Sequence, residues 1–167
     1  SARQAARRAA MLDALMVEHE LDSAEMARTL TAAAREIASD AYLATLLQSV
    51  AVEALADPDL VEPVFAVVDS VESDAYRAEV LRELMEGSVS DATALARALT
   101  SAAGMQSDAY LAEVLCDVPA AALRGVAVRS AFVAALATLE SDAYFAEVSR
   151  PLIGSRGVKG ELLAGLV

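Results

Sequence analysis

The sequence predicts an all-α protein, an α-solenoid of about five two-helix repeats of 34 residues each, of the HEAT or tetratricopeptide type. Composition is the first observation behind this prediction, because the 167 residues are 56% hydrophobic but only 4% aromatic. The apolar side chains are mainly those of Ala, Leu and Val, and Ala and Leu favour helices. The second observation is the small number of helix-breaking residues, seven Gly and four Pro. The third observation is a hexapeptide that recurs at a constant spacing.

The hexapeptide reads Ser-Asp-Ala-Tyr-x-Ala and begins at residues 39, 73, 107 and 141. Its tyrosines are 34 residues apart and are Tyr42, Tyr76, Tyr110 and Tyr144. An acidic column lies three residues later and consists of Glu79, Glu113 and Glu147, with Thr45 in the first copy. An apolar column lies two residues before each Ser and consists of Ile37, Val71, Met105 and Leu139. Self-similarity at this period is typical of stacked helical units.

The 34-residue register divides the whole chain into repeat units. We predict one solenoid domain over 1–167, with units at about 5–38, 39–72, 73–106, 107–140 and 141–167. In the first unit Arg8 stands in the tyrosine column. Such a degenerate unit is expected at the end of a stack, where it forms a cap.

Each unit has room for two helices, and residue types at their starts indicate the boundaries. The Ser of the hexapeptide is a preferred N-cap, and the Asp after it complements the helix dipole. A second start signal lies about 18 residues later, at Ser23, at Asp57 before Pro58, and at Ser90-Asp91. First helices are predicted near 3–18, 40–55, 74–86, 108–117 and 142–153. Second helices are predicted near 24–37, 58–71, 91–105, 120–139 and 158–167.

Two prolines and one apolar stripe refine this picture. Pro119 and Pro151 are expected to end or kink the first helices of the last two units, because proline breaks the helical hydrogen-bond pattern. The helix predicted at 40–55 has two packing faces, because Ala41 and Ala44 lie on a different side from its aliphatic stripe. That stripe consists of Leu43, Leu46, Leu47 and Val50.

Charge and composition exclude several classes of function. The net charge is −12, and the one basic cluster, at Arg3, Arg7 and Arg8, is too small for nucleic-acid binding. No apolar run approaches the ~20 residues of a membrane helix, so we expect no direct membrane insertion. We interpret both ends as boundaries within a longer protein, and slightly favour a soluble, cytoplasmic location over an extracytoplasmic one. Oligomeric state is left open.

No residue pattern predicts catalysis, a metal or a cofactor. His19 and Cys116 are the only His and Cys, and they are almost a hundred residues apart, whereas a zinc site needs several such ligands. His19 is interpreted as a solvated turn residue. Cys116 is interpreted as a surface or half-buried thiol, because no general base is evident beside it.

The tyrosine and glutamate columns are the candidate partner-binding residues, and each has two interpretations. The rings of Tyr42, Tyr76, Tyr110 and Tyr144 either pack where two units meet or form an aromatic row that holds a peptide. Glu79, Glu113 and Glu147 form either a solvated helix face or an acidic strip that attracts a basic partner.

The third copy of the repeat reads Met105-Gln106-Ser107-Asp108-Ala109-Tyr110-Leu111-Ala112-Glu113-Val114-Leu115. It resembles bacterial HEAT-like helical repeats with a Ser-Asp-Tyr signature, found in the C-terminal regions of membrane-embedded metallopeptidases of the β-lactam-sensor type. Their consensus is roughly Ile-x-Ser-Asp-Tyr-x-Lys-Ala-x-Val-Leu, whereas here the Tyr is one place later and the Lys is missing. The resemblance covers residues 37–150 and implies an αα repeat region. It implies no catalysis, because the zinc signature of those peptidases is absent from this sequence. The 34-residue spacing also matches tetratricopeptide repeats, but their Trp, Leu-Gly and late Pro columns are missing.

The main functional hypothesis is therefore a non-catalytic protein-interaction or scaffolding module. Its partner would be a peptide, a helix or another domain of its own chain, with a basic segment if the glutamate column is an acidic strip. One alternative is a protein that binds or sequesters a small molecule in the apolar interior of a superhelix. Another is an accessory region of a larger enzyme. Fold alone does not decide among these, because solenoids serve many functions.

Overall fold

The computed structural model describes residues 22–87 and 91–154, with the isolated positions 6, 7, 10 and 14. Across these residues the regular elements are all helices, which confirms the all-α class. The α helices are α1 (Ser23–Glu36), α2 (Asp40–Ala54), α3 (Val61–Ser70), α4 (Asp74–Gly87), α5 (Ala92–Ala102), α6 (Asp108–Cys116), α7 (Val126–Leu136) and α8 (Asp142–Gly154). Short 3₁₀ helices at Pro58–Leu60 and Ala122–Arg124 precede α3 and α7. The five-repeat solenoid stays a prediction.

The four helices that begin at the hexapeptide lie where the sequence predicts them. Helices α2, α4, α6 and α8 each begin at the Asp of the motif. Their ends differ from the predicted ends by a single residue in each case. The first predicted helix, 3–18, lies outside the described residues except at positions 6, 7, 10 and 14, which are helical. The last one, 158–167, also lies outside them.

The second helices begin at residues that share the 34-residue spacing. Asp57 and Asp91 are N-caps, and Asp91 Oδ1 accepts from the backbone N–H groups of Thr93 at 2.8 Å and Ala94 at 3.2 Å. Helix α1 begins one residue earlier than predicted, because Asp22 rather than Ser23 forms the cap. Its carboxylate accepts from the Glu25 N–H at 2.8 Å, while Glu25 Oε2 accepts from the Asp22 N–H at 3.4 Å. This reciprocal capping box satisfies two backbone donors that the helix leaves free.

The continuous second helix predicted over 120–139 was wrong. The chain forms the 3₁₀ helix Ala122–Arg124, then turns extended at Gly125, and only then begins α7. Gly125 is the N-cap of α7 and continues the column of Asp57 and Asp91. The helix over 91–105 also ends early, at Ala102, where Ala103 and Gly104 form a turn. The segment 58–71 divides into the 3₁₀ turn that starts at Pro58 and α3.

The two prolines expected to disturb first helices behave differently. Helix α6 ends at Cys116, three residues before Pro119, as predicted. Helix α8 continues through Pro151 to Gly154, so Pro151 does not end the helix, and the predicted range of 142–153 differs from the observed one by a single residue. Pro151 has no N–H to donate to the carbonyl of residue 147, but it lies within the last turn. The helix therefore loses one hydrogen bond near its end rather than several in its middle.

The chain divides into two compact units, Ser1–Leu84 and Met85–Val167. In the first unit α1 and α2 both pack against α3, and Phe65 is fully buried. In the second unit α5 packs against α7 and α6 against α8, and Phe132 is buried. Both cores are otherwise aliphatic, which agrees with the composition.

Buried positions repeat with the motif. Four residues after each tyrosine the side chain is 0–3% exposed, at Leu46, Val80, Val114 and Val148. Leu43, Leu46 and Leu47 of the predicted stripe are buried, while the Val50 side chain lies outside the described residues. Ala44 is buried and Ala41 is exposed, so only the second Ala of this hexapeptide faces a neighbour.

Candidate functional site

Within each compact unit, the two copies of the hexapeptide are joined through the Asp of the first copy. In the first unit Asp40 accepts from the backbone N–H of Ser73 at 2.8 Å and of Glu72 at 3.2 Å. In the second unit Asp108 accepts from Ser141 N–H at 2.7 Å and Glu140 N–H at 3.1 Å. Bonds to an ionised carboxylate are stronger than neutral ones. We name these contacts the Asp links.

The Asp links fix the direction of the helices within each unit. Asp40 begins α2 and Ser73 precedes α4, so the starts of these two helices lie side by side. Farther along, Gln48 Nε2 donates to Glu79 Oε1 at 3.0 Å, which shows that α2 and α4 run in the same direction. In the second unit the Asp108 link likewise places the starts of α6 and α8 side by side, and these two helices pack together.

The tyrosines of the hexapeptide lie at the surface, although their neighbours in the same helices are buried. Tyr76 is 40% exposed and Tyr110 is 36% exposed, while Tyr42 and Tyr144 are half-buried. Partial exposure agrees with either interpretation of the column, as a junction between units or as a row for a partner. In either case part of each ring is accessible.

The acidic column lies beside the tyrosines, one helical turn later. Glu79, Glu113 and Glu147 are all exposed. Residues three apart on a helix are neighbours, with Cβ atoms about 5–6 Å apart. Three copies of the motif therefore place an accessible ring beside an exposed carboxylate, and we call them the Tyr–Glu pairs: Tyr76–Glu79, Tyr110–Glu113 and Tyr144–Glu147.

The first copy of the motif differs from the other three. It has Thr45 in place of Glu, and the Thr45 hydroxyl donates to the Ala41 carbonyl at 2.9 Å. Tyr42 thus has no carboxylate at the position one turn later. This natural difference offers a comparison for any test of the pairs.

Cys116 is an exposed thiol in a setting that opposes its ionisation. Partial burial of the sulfur raises its pKa, and the negative charges of Glu147 and Asp117 raise it further. A thiol is nucleophilic only as the thiolate, so these surroundings disfavour covalent catalysis. His19, the other residue considered for chemistry, lies outside the described residues. Among the described residues no group of His, Cys, Asp and Glu has the arrangement of a metal site.

Several polar contacts were not foreseen from the sequence. Arg77 occupies the variable position of the second hexapeptide, where it donates to the carbonyls of Val71 at 3.0 Å and Asp69 at 3.1 Å, at the end of α3. Cations are favourable at helix C-termini because they satisfy free carbonyls. The Ser23 hydroxyl donates to the Asp57 carboxylate. The only sequence signal for this Ser23–Asp57 hydrogen bond is that the two residues are 34 positions apart.

A concavity of about 410 Å³ borders α1, and its described lining is mixed rather than apolar. The residues are Ala27, Arg28, Thr31, Ala32, Arg35 and Glu36. No helix in the described part of the chain has the length and hydropathy to cross a membrane.

Comparison with known proteins adds no relative. A scan against family models finds no match, and searches of curated proteins and of solved structures find none either. The resemblance to Ser-Asp-Tyr repeats therefore stays a prediction. Any functional proposal depends on the Asp links and the Tyr–Glu pairs themselves.

Proposed function

We propose that the chain is a non-catalytic interaction or scaffolding module that holds a peptide or protein partner on its helical-repeat surface. The observation that supports this proposal is the repetition of the Tyr–Glu pairs. An accessible ring and an exposed carboxylate recur at the same two positions of the motif in three of its four copies.

The chemistry of the pairs suits recognition. Tyrosine offers a large contact area and a polar hydroxyl while losing little side-chain entropy, and it is enriched where proteins bind one another. A neighbouring carboxylate accepts hydrogen bonds and favours partners of positive charge. Each pair is thus able to bind the apolar and the polar part of one partner side chain.

The Asp links favour a rigid scaffold beneath these pairs. Within each unit a carboxylate at the start of one first helix binds the backbone at the start of the next. Two links of the same geometry in two separate units support the proposal that the 34-residue motif builds a solenoid. Binding side chains are most effective when the elements beneath them are already ordered.

Affinity capture with the complete 167-residue chain tests the proposal. Three baits are compared: the natural chain, a variant with all four hexapeptide tyrosines changed to Phe, and one with all four changed to Ala. Circular dichroism and thermal melting establish that each bait is folded. We expect a specific partner to remain on the Phe bait, which keeps the rings, and to be lost from the Ala bait.

The result that would contradict the proposal is a folded Ala bait that retains every protein held by the natural chain. The binding surface would then lie away from the tyrosines. Collapse of the Ala bait with a stable Phe bait would show that the rings are structural. The test would then be repeated with Glu79, Glu113 and Glu147 changed to Gln, which alters charge without removing the rings.

The concavity beside α1 is a candidate location for a small-molecule ligand, although its mixed lining differs from the apolar superhelix interior expected from the sequence. Its volume of about 410 Å³ lies within the range of ligand pockets. A thermal-shift screen distinguishes this function, because a ligand that binds only the folded chain raises its melting temperature by mass action. A hit that Arg28→Ala and Arg35→Ala abolish would place the ligand there.

A further inference from the structure

We propose that each Tyr–Glu pair is a subsite for one cationic side chain, and that the partner is a basic polyproline II segment with Arg or Lys at every third residue. This inference rests on the proposed function and names the chemical class of its partner. It is argued from the second unit, where two complete pairs lie on neighbouring helices.

One pair has the two groups that recognise a cation. A guanidinium or ammonium over the face of a Tyr ring is attracted by the ring's electrons. The carboxylate of Glu113 lies one turn after the Tyr110 ring and has about four acceptor positions, so a guanidinium stacked on the ring can donate to it in addition to the interaction that Glu113 makes within the chain. Arginine suits this geometry better than lysine, because its planar group stacks and bonds in two directions.

The separation of the two pairs selects the conformation of the partner. Helices α6 and α8 pack together with their starts side by side, so we expect equivalent positions near those starts to lie about 8–10 Å apart. A polyproline II segment rises 3.1 Å per residue with three residues per turn, which places residues i and i+3 on one side about 9 Å apart. In a β-strand, residues i and i+2 share a side but are only about 7 Å apart.

The surrounding charges favour a cationic partner. Asp117 and Glu140 are exposed and add negative charge near the Tyr110–Glu113 and Tyr144–Glu147 pairs. The net charge of −12 attracts a basic segment from a distance. Arg150 opposes binding, because it is exposed and lies one turn after Glu147. The Tyr144–Glu147 subsite is therefore the weaker of the two.

The test uses fluorescent peptides with the complete chain, and fluorescence anisotropy is measured at low and at physiological salt. The probe is four copies of Arg-Pro-Pro. A matched control has the same four Arg and eight Pro, with the Arg residues grouped in two adjacent pairs. A second control is an α-helical peptide with Arg at i and i+7, a spacing of about 10 Å. We expect the evenly spaced proline peptide to bind most tightly.

Three variants of the second unit assign the binding to the pairs. Tyr110→Leu removes the ring and is expected to weaken binding about two- to five-fold. Tyr110→Phe keeps the ring and is expected to leave the affinity within about two-fold. Glu113→Gln keeps the size of the side chain but removes its charge, with an expected loss of about two- to five-fold. Circular dichroism confirms that each variant is folded.

Equal binding of the two proline peptides would overturn the inference, because charge alone would then explain it. Tighter binding of the helical peptide would overturn the assigned conformation. If a partner from affinity capture depends on the tyrosines but is not displaced by the Arg-Pro-Pro peptide, the proposal of cationic subsites is wrong. The proposal that the chain is an interaction module is then still supported. If neither peptide nor captured partner depends on the tyrosines, both proposals fail.

Discussion

The two compact units share one motif but differ in charge and in the number of complete Tyr–Glu pairs. Residues 1–84 contain 16 acidic and seven basic side chains, a net charge of −9, whereas residues 85–167 contain nine and six, a net charge of −3. The more acidic unit has one Tyr–Glu pair, at Tyr76 and Glu79, and the less acidic unit has two. Total acidity and the candidate binding groups are thus distributed differently.

The Asp link is nevertheless the same in both units. The Asp of one hexapeptide accepts from the Ser N–H of the next at 2.8 Å in the first unit and at 2.7 Å in the second. Since its geometry persists while the charge around it changes, the link follows from the motif and its 34-residue spacing. The Tyr–Glu pairs are different, because one exchange, Thr45 for Glu, removes a pair without disturbing the helix.

The largest expected effect is loss of an Asp link. Asp40→Ala and Asp108→Ala should each lower the free energy of unfolding by about 1.5–3 kcal/mol, because backbone N–H groups lose a charged acceptor. Asn at either position keeps one acceptor oxygen and should lower it less. Urea unfolding of the four variants measures this. A large loss for one Asp and none for the other would show that the two links are not equivalent.

The next largest effect is expected on peptide affinity when the first unit is given the Tyr–Glu pair that it lacks at Tyr42. Thr45→Glu adds a carboxylate one turn after Tyr42 and should raise the affinity for the Arg-Pro-Pro peptide about two- to five-fold. Thr45→Gln is the matched control, with the same size and no charge. Anisotropy titrations compare them. Equal affinity of the Glu and Gln variants would show that a pair at this position does not bind cations.

A smaller gain is expected at the second unit from Arg150→Gln. Removing this cation beside Glu147 should strengthen binding of the basic peptide about two-fold, an effect that shrinks as salt screens the charges. Arg97→Gln changes the net charge equally at another helix, α5, and serves as the control. The same gain in both variants would indicate long-range attraction rather than a subsite at Tyr144 and Glu147.

The smallest expected effect is a pH dependence of stability. We expect it only in the first unit, where Ser23 and Asp57 are joined by a hydrogen bond. The hydrogen bond from the Ser23 hydroxyl, and then that from the Asp59 N–H, lower the pKa of Asp57 below its ordinary value of 3.8. Ionised Asp57 therefore stabilises the folded chain above pH 3.8, and this contribution is lost as the pH falls through the lower folded pKa. In the second unit the corresponding residues are Asp91 and Gly125, and Gly125 has no side chain to take the place of the accepting Asp57 carboxylate.

Urea unfolding of Ser23→Ala and of the natural chain at pH 6 and near pH 3 measures this contribution. We expect the variant to be less stable at pH 6 and the difference to narrow on acidification. A constant difference at both pH values would contradict the assigned role of Asp57. Thr93→Ala near the cap of α5 is the control in the second unit.

Helix positions were predictable wherever a local signal decides them. The Asp caps at 57 and 91 act through atoms within three residues of the cap, whereas Ser107 caps α6 without a side-chain hydrogen bond. The start of α7 was misplaced because Gly125 offers no side-chain cap, and only the 34-residue column identifies it. Pro151 does not end α8, because a proline in a last turn costs few hydrogen bonds.

The candidate site was predictable in part. The sequence identified the tyrosine and glutamate columns, and the i, i+3 spacing follows from them directly. Their exposure did not follow, because whether a residue at the edge of a helical stripe is covered depends on the neighbouring helix. The contacts of Arg77 with the end of α3 were equally invisible, since Arg77 stands in a column otherwise occupied by Leu43, Leu111 and Phe145.

The sequence by itself determined the helical class, the period, the starts of the four hexapeptide helices and the residues in each column, because these depend on interactions within one or two helical turns. Tertiary structure alone decided that Asp40 and Asp108 bind backbone groups 32 and 33 residues away, and that Tyr76 and Tyr110 stay exposed beside Val80 and Val114, which are buried. Those outcomes depend on how one helix lies against the next. The packing of apolar side chains between helices fixes that placement, which no local pattern specifies.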